Sequence, residues 1–152
     1  MPIKPENRER YPKDWPAISR AARERAGWRC QHQGCAARQY SVGVWHRPGG
    51  GDWKWLAHWG DNDNPRTYDQ ARQVAADESF TRFGDGPPER GDQQVIVIVL
   101  TVAHLNHEPE DCRPENLAAM CQRHHLAYDA EHHKQTAYAT RKAAARTPDL
   151  FA

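Results

Sequence analysis

No apolar run in these 152 residues approaches the length of about 20 that a membrane-spanning helix needs. The opening MPIKPENRER has no apolar core of the kind a secretory leader carries. Internal repeats and low-complexity tracts are also missing. A strong charge of either sign is lacking too: Lys and Arg number 21, Asp and Glu 20, and the net charge is +1. Taken together these absences lead us to expect a cytoplasmic, intracellular chain with no membrane partner. Cysteine is sparse, with four residues, and in a reducing compartment so few thiols point to metal binding rather than disulfides.

What is present fits one globular unit. A length of 152 residues suits a single domain, residues 1–152, with room for one core and a small insertion. Hydrophobic residues make up 38% and charged residues 27%, and the mean hydropathy of −0.98 implies a modest core under a polar surface. The near-zero net charge hides an uneven distribution. Residues 1–40 are rich in Arg and Lys, Lys134, Arg141, Lys142 and Arg146 lie near the other end, and the middle is mildly acidic. Basic ends around an acidic insert form either a phosphate-facing surface or ordinary solvated helix faces.

The periodicities outline an α+β fold. Asp14 can cap a helix running to about Ala26, with Pro16 tolerated in its first turn and Gly27 stopping it. Tyr40, Val42 and Val44 alternate, as do Trp53, Trp55, Ala57 and Trp59, with Pro48–Gly51 between them. This predicts a hairpin with an aromatic face. Asp61–Pro65 reads as a turn, Thr67–Ser79 as a helix and Phe83–Gln94 as a loop, so residues 40–94 form an inserted ββα segment. Val95–Val102 is apolar on both faces and β-branched, and is expected to be one central, doubly covered strand. Leu117–Met120 suits a short strand. One helix is expected from about Gln122 and a further helical stretch over Thr136–Arg146.

The chemistry concentrates in Leu100–His133, LTVAHLNHEPEDCRPENLAAMCQRHHLAYDAEHH. Cys30-x4-Cys35 and Cys121-x2-His124 are two local ligand pairs on either side of the insert. Four soft N and S donors suit a closed tetrahedral zinc site, which would staple the N-terminal helix to the C-terminal one. Cys112 is left over, and His32 or His125 could stand in for His124. Trp15 and Trp28 are expected to anchor against this staple. His125, Asp129, His132 and His133 share one helical face, so His125 and Asp129 can point at one cation. His104, at the end of the apolar strand, could take a proton from water beside a metal-bound phosphate. Asn116 could lock the intervening loop or orient that imidazole, or could simply be a turn residue.

At these residues the chain resembles the HNH endonuclease family, whose fold is the ββα-metal finger. The segments VAHLNH and ENLAAMCQRHHLAYD carry the resemblance, which covers Trp28–Cys35 and Ile98–His133 and is similar to the zinc-stapled branch common among phage and bacterial members. It implies a metal-dependent endonuclease that hydrolyses phosphodiester bonds in double-stranded DNA. His104 would be the general base that activates water, Asn116 the central Asn, and His125 a ligand of the catalytic divalent cation (Mg²⁺, Mn²⁺, Ni²⁺ or Zn²⁺), with Asp129 where some members have a further ligand. Cys30, Cys35, Cys121 and His124 would hold a structural Zn²⁺, His124 standing where Cys is more usual. The family usually has Asp or His immediately before the base as a first metal ligand, and this chain has Ala103. Either Asn106 or His107 replaces it, or the fold is a zinc-stapled nucleic-acid-binding or protein-interaction module with weakened catalysis.

Two outlying features have readings of their own. Trp45, Trp53, Trp55 and Trp59 could stack on unpaired bases, or form core or a protein contact. Arg141, Lys142 and Arg146 could touch phosphates without reading sequence.

Overall fold

A computed structural model describes residues 5–58, 67–83 and 94–144 of the chain. The architecture is α+β, with three α-helices, a three-stranded sheet and a two-stranded sheet among the described residues. Among the described residues no helix is long and apolar enough to cross a membrane.

Helix α1 spans Trp15–Arg25. It starts on the main chain of Asp14, whose carbonyl accepts the N–H groups of Ala17 and Ile18 at 2.9 and 3.1 Å. The Asp14 side chain makes no capping bond, so the expected cap is only a backbone one. Gly27 and Trp28 then take left-handed backbone angles, φ 60° and 54°, and the Trp28 N–H closes the helix on the Arg23 carbonyl. Gly27 adopts this region at no steric cost, which is why the helix stops there. Ala22 is buried against Val102 and Leu117, with Trp15 and Ile18 packed around them. The guanidinium of Arg25 fastens the helix by donating to the carbonyls of Pro114 and Leu117.

Strands β1 (Val42–His46) and β2 (Lys54–Ala57) form the expected antiparallel hairpin, with Trp45 opposite Trp55. The turn between them is carried by Gly49 and Gly50 at φ 57° and 76°. On its other edge β1 pairs with β3 (Ile96–Val97). Helix α2 (Tyr68–Phe83) extends four residues beyond the sequence expectation and covers this sheet through Ala71, Val74 and Ala75. Trp59 and Asp61–Pro65 lie outside the described residues, as does most of the expected 83–94 loop.

Val95–Val102 is not one strand. The run splits into β3, paired with β1, and β4 (Thr101–His104), paired with β5 (Leu117–Met120), and these belong to different sheets. Between them the chain is held by its own polar bonds. Ile98 exchanges backbone bonds with Tyr40 and Ser41, and the Leu100 N–H donates to the Gln39 side-chain oxygen at 2.7 Å. Ile98 and Leu100 are apolar because they fill the seam between the two sheets, at 0% and 1% exposure. A continuous apolar run therefore reports burial here, not sheet continuity.

Strands β4 and β5 are antiparallel, with His104 opposite Leu117. One residue after β5, helix α3 begins and runs unbroken over Gln122–Ala144, so the two expected helical stretches are one. Strand alternation puts Ala103 and His104 on opposite faces. Ala103 joins the core of Cys30, Trp55, Ile98 and Cys121, whereas His104 faces α1 and its approach.

Candidate metal centre and histidine pocket

The first cluster lies where the segment after α1 meets the junction of β5 and α3. After α1 the chain makes a small turn: Cys30 N–H bonds to Ala37, and Cys35 N–H to His32. Gln31 reads the edge of β5, its N–H donating to the Ala119 carbonyl and its side-chain oxygen accepting from the Ala119 N–H. These bonds bring the pair Cys30 and Cys35 beside the pair Cys121 and His124. The three sulfurs and the imidazole nitrogen lie within 4.8 Å of one another. Among the described residues, no other group of three or more His, Cys, Asp or Glu meets that spacing.

The donor chemistry fits a soft divalent ion such as zinc. His124 Nδ1 is 3.2 Å from the Cys121 sulfur and 3.6 Å from that of Cys30. The Cys121 N–H donates to the Cys30 sulfur at 3.3 Å, a contact that favours a thiolate there. Hydrogen bonds from Cys121 and Cys35 hold Cys30 far below the ordinary thiol range, and the bond to Cys30 pushes Cys121 up. Three sulfurs facing each other, those of Cys30 and Cys121 buried and that of Cys35 half-buried, share protons poorly, and a metal ion relieves that conflict. His32 stays outside the ligand group and stacks on His124 with ring centroids 3.9 Å apart.

The hairpin covers this cluster. Trp45 meets His124 edge-on at 5.6 Å and Trp55 at 5.4 Å, and Trp55 is buried. The aromatic face is therefore mainly core, with Trp53 left exposed under the guanidinium of Arg123, 4.0 Å from its ring centroid. Of the two tryptophans expected at the staple, Trp28 is half-exposed beneath Arg23 and Trp15 packs elsewhere. Trp15 belongs instead to the cluster of Ala22, Val102 and Leu117.

The second cluster is an open pocket of about 210 Å³, walled by His104, His107, His125, Asp129, His132 and His133 together with Arg10 and Tyr11. His125 and Asp129, one helical turn apart, pair at 3.1 Å through Nε2 and Oδ2. The other nitrogen of His125 meets the Thr101 hydroxyl at 2.5 Å, which fixes the ring. Burial lowers the pKa of His125, against the pull of Asp129, so its neutral form is favoured.

The two loop residues that could replace a ligand at position 103 behave differently. Asn106 belongs to the loop: its side chain donates to Asp111 and accepts from Asn116 and from the Glu108 N–H. His107 turns into the pocket in left-handed backbone, φ 59°, with Nδ1 3.4 Å from Asp129 Oδ1. It stacks on His132 at 4.4 Å and on Tyr128 at 5.2 Å. Asn116, 8% exposed, locks the same loop by donating to Asn106 and to the Asp111 carbonyl and accepting from the Asn106 N–H.

His104 is 8% exposed and lies under a roof absent from the sequence expectation. Trp15 stacks on it at 4.9 Å and 24°, and Tyr11 meets it edge-on at 5.7 Å. Burial lowers its pKa, which favours the neutral imidazole a base requires. Arg10 fixes the approach through a two-pronged bond to Glu110 at 2.6 and 3.0 Å. No local periodicity announces these contacts, since they join residues about a hundred positions apart. Arg141 and Lys142 are exposed in the last turns of α3, far along the helix from His125, and Arg146 lies outside the described residues.

No family model, no curated protein and no solved structure matches this chain.

Proposed function

We propose that the chain is an HNH-type endonuclease of the ββα-metal class that hydrolyses phosphodiester bonds in double-stranded DNA. One observation carries this reading: His104 at the end of β4 opens onto the same pocket as His125 and Asp129 of α3, apart from the Cys30, Cys35, Cys121 and His124 cluster. A nuclease of this kind needs a base and a cation site together, and a separate staple to hold them.

In this reading His104, kept neutral by burial, accepts a proton from water as the water oxygen attacks phosphorus and the bond to the leaving oxygen breaks. His125 and Asp129 hold a divalent cation, which when bound would offset the negative charge developing at phosphorus and on the leaving oxygen. Asn116 keeps the loop between β4 and β5 in place beneath the base. Zinc on the three cysteines and His124 would join the segment after α1 to the start of α3.

The test is metal-dependent nicking of supercoiled plasmid in Mg²⁺, Mn²⁺, Ni²⁺ or Zn²⁺. His104→Ala lowers the rate by about a hundredfold or more, the scale of a general base, at unchanged zinc content. Nicking that survives this change sinks the assignment.

A nucleic-acid-binding module without catalysis is a second reading, favoured by Ala103. The family's usual first ligand would sit there, and this side chain is 1% exposed within the core. DNA binding with no cleavage in any of the four metals selects that reading.

A further inference from the structure

The fourth cysteine, Cys112, belongs to neither metal cluster. Its sulfur lies 3.8 Å from His104 Nε2 and 3.4 Å from the carbonyl oxygen of Pro109. The second contact sets the direction of the first. A carbonyl can only accept, so the thiol proton goes to Pro109, and the sulfur lone pairs face the imidazole. Burial raises the Cys112 pKa, so the thiol keeps its proton at neutral pH. In that arrangement Nε2 carries the hydrogen and donates it to sulfur. Nδ1 has no hydrogen-bond partner among the described residues, and the ring face and edge are covered by Trp15 and Tyr11.

We infer that Cys112 is a positioning residue for His104: the relay from Nε2–H to sulfur and from S–H to the Pro109 carbonyl fixes one tautomer and makes Nδ1 the working nitrogen of the base. A neutral imidazole has one donor and one acceptor nitrogen, and the partner of the donor decides which is which. Trp15 stops the ring from rotating, and the relay stops the proton from moving between nitrogens. Cys112 itself touches neither water nor phosphate. The consequence for rate rests on the nuclease reading, whereas the tautomer does not.

Long-range ¹H–¹⁵N correlation spectra of the zinc-loaded, ¹⁵N-labelled full chain read the tautomer directly. The wild type shows His104 protonated at Nε2. Cys112→Ser, which keeps an acceptor and a donor, retains that signature. Cys112→Ala produces a mixture of tautomers, with unchanged zinc content, and a nicking rate lower by about tenfold, the scale on which removing the partner of a functional imidazole acts. A wild-type His104 protonated at Nδ1 overturns the inference, and so does a Cys112→Ala protein with unaltered tautomer and rate. A wild type that shows the Nε2 tautomer yet nicks no DNA in any metal upholds the relay and removes the nuclease reading instead.

Discussion

His124 and His125 are neighbours in α3 and serve opposite clusters. His124 Nδ1 lies 3.2 Å from the Cys121 sulfur, while His125 Nε2 lies 3.1 Å from Asp129 in the pocket. Successive helical residues diverge by about 100°, so one turn of helix can present a ligand to each of two sites. Fixing the first ring therefore fixes the second.

The two clusters should respond separately to mutation. Cys121→Ser removes a buried sulfur from the three-cysteine group and should abolish stoichiometric zinc binding, with a loss of stability of several kcal/mol. Cys112→Ser should leave the metal content unchanged. Metal analysis and urea unfolding of both variants, with and without chelator, check this. Equal zinc loss in the two would contradict the ligand assignment.

Under the proposed nuclease reading, placing at position 103 the Asp that HNH proteins usually carry there should do harm. Ala103 is packed against Cys30, Ile98 and Cys121, on the strand face opposite His104. Ala103→Asp places a carboxylate without a partner in that core, and a cost on the order of 3–5 kcal/mol is expected. No gain in affinity for Mn²⁺ should appear in a calorimetric titration. A tighter cation site in this variant would mean that position 103 reaches the pocket after all.

Asn116→Ala removes three side-chain hydrogen bonds that close the loop between β4 and β5. Loss of buried donors and acceptors of this kind costs about 1–3 kcal/mol. The loop amides of Asn106 and Glu108 should exchange faster with solvent, while the β1–β2 hairpin stays protected. Uniform acceleration across the chain would show instead that Asn116 supports the whole fold.

Gly43 of β1 lies opposite Ala57 of β2. A Cβ there would collide with the Leu56 carbonyl oxygen and come within 2.9 Å of Ala57 Cα. Both obstacles are main chain and cannot rotate away. Gly43→Ala should cost at least about 1–3 kcal/mol, seen as a lower urea midpoint, by forcing the hairpin apart. A midpoint equal to that of the wild type would show that β1 and β2 separate without penalty.

Burial lowers the pKa of His104, with Asp111 and Glu110 pulling the other way and His125 adding to the shift. The native imidazole thus takes up its proton at a lower pH than the unfolded one, whose value is near 6.5. Its contribution to stability is complete above that value and is lost as pH falls through it towards the lowered native value. The difference in urea midpoint between wild type and His104→Phe should therefore shrink on acidification from about pH 7.5 to 5.5. A constant difference would mean that the ring titrates as it does in water.

How much of this was legible depends on the range of each interaction. The β1–β2 hairpin, α3, β5 and the spacing of His125 and Asp129 are local patterns, and the sequence carries them openly. The cysteine pairs are local too, so their zinc-like pairing could be read before their contact was known. The switch of sheets after Val97 could not be read, because burial in a seam and burial in a central strand yield the same apolar run. The roof of Trp15 and Tyr11 over His104 depends on side chains meeting across the fold, whereas the contact of Cys112 with His104 joins residues eight positions apart and depends on how the loop after β4 folds back, which no periodicity encodes. Trp15 looked like an anchor for the cysteines because only its distance along the chain from Cys30 was visible.

Cys30 and Cys121 stand 91 positions apart, so an ion held between them ties a long circuit of chain. Such a tie acts on the unfolded ensemble, removing the many arrangements in which its ends are far apart. Each doubling of a closed loop adds only about 0.6 kcal/mol to the entropy of closure. Residues 40–94 therefore lengthen the circuit at little cost in closure entropy, provided both ligand pairs stay on the ion. Changes of length that leave β1, β2 and α2 intact alter the closure entropy little, whereas any that remove Val42, Val44, Trp55 or Ala71 take away core.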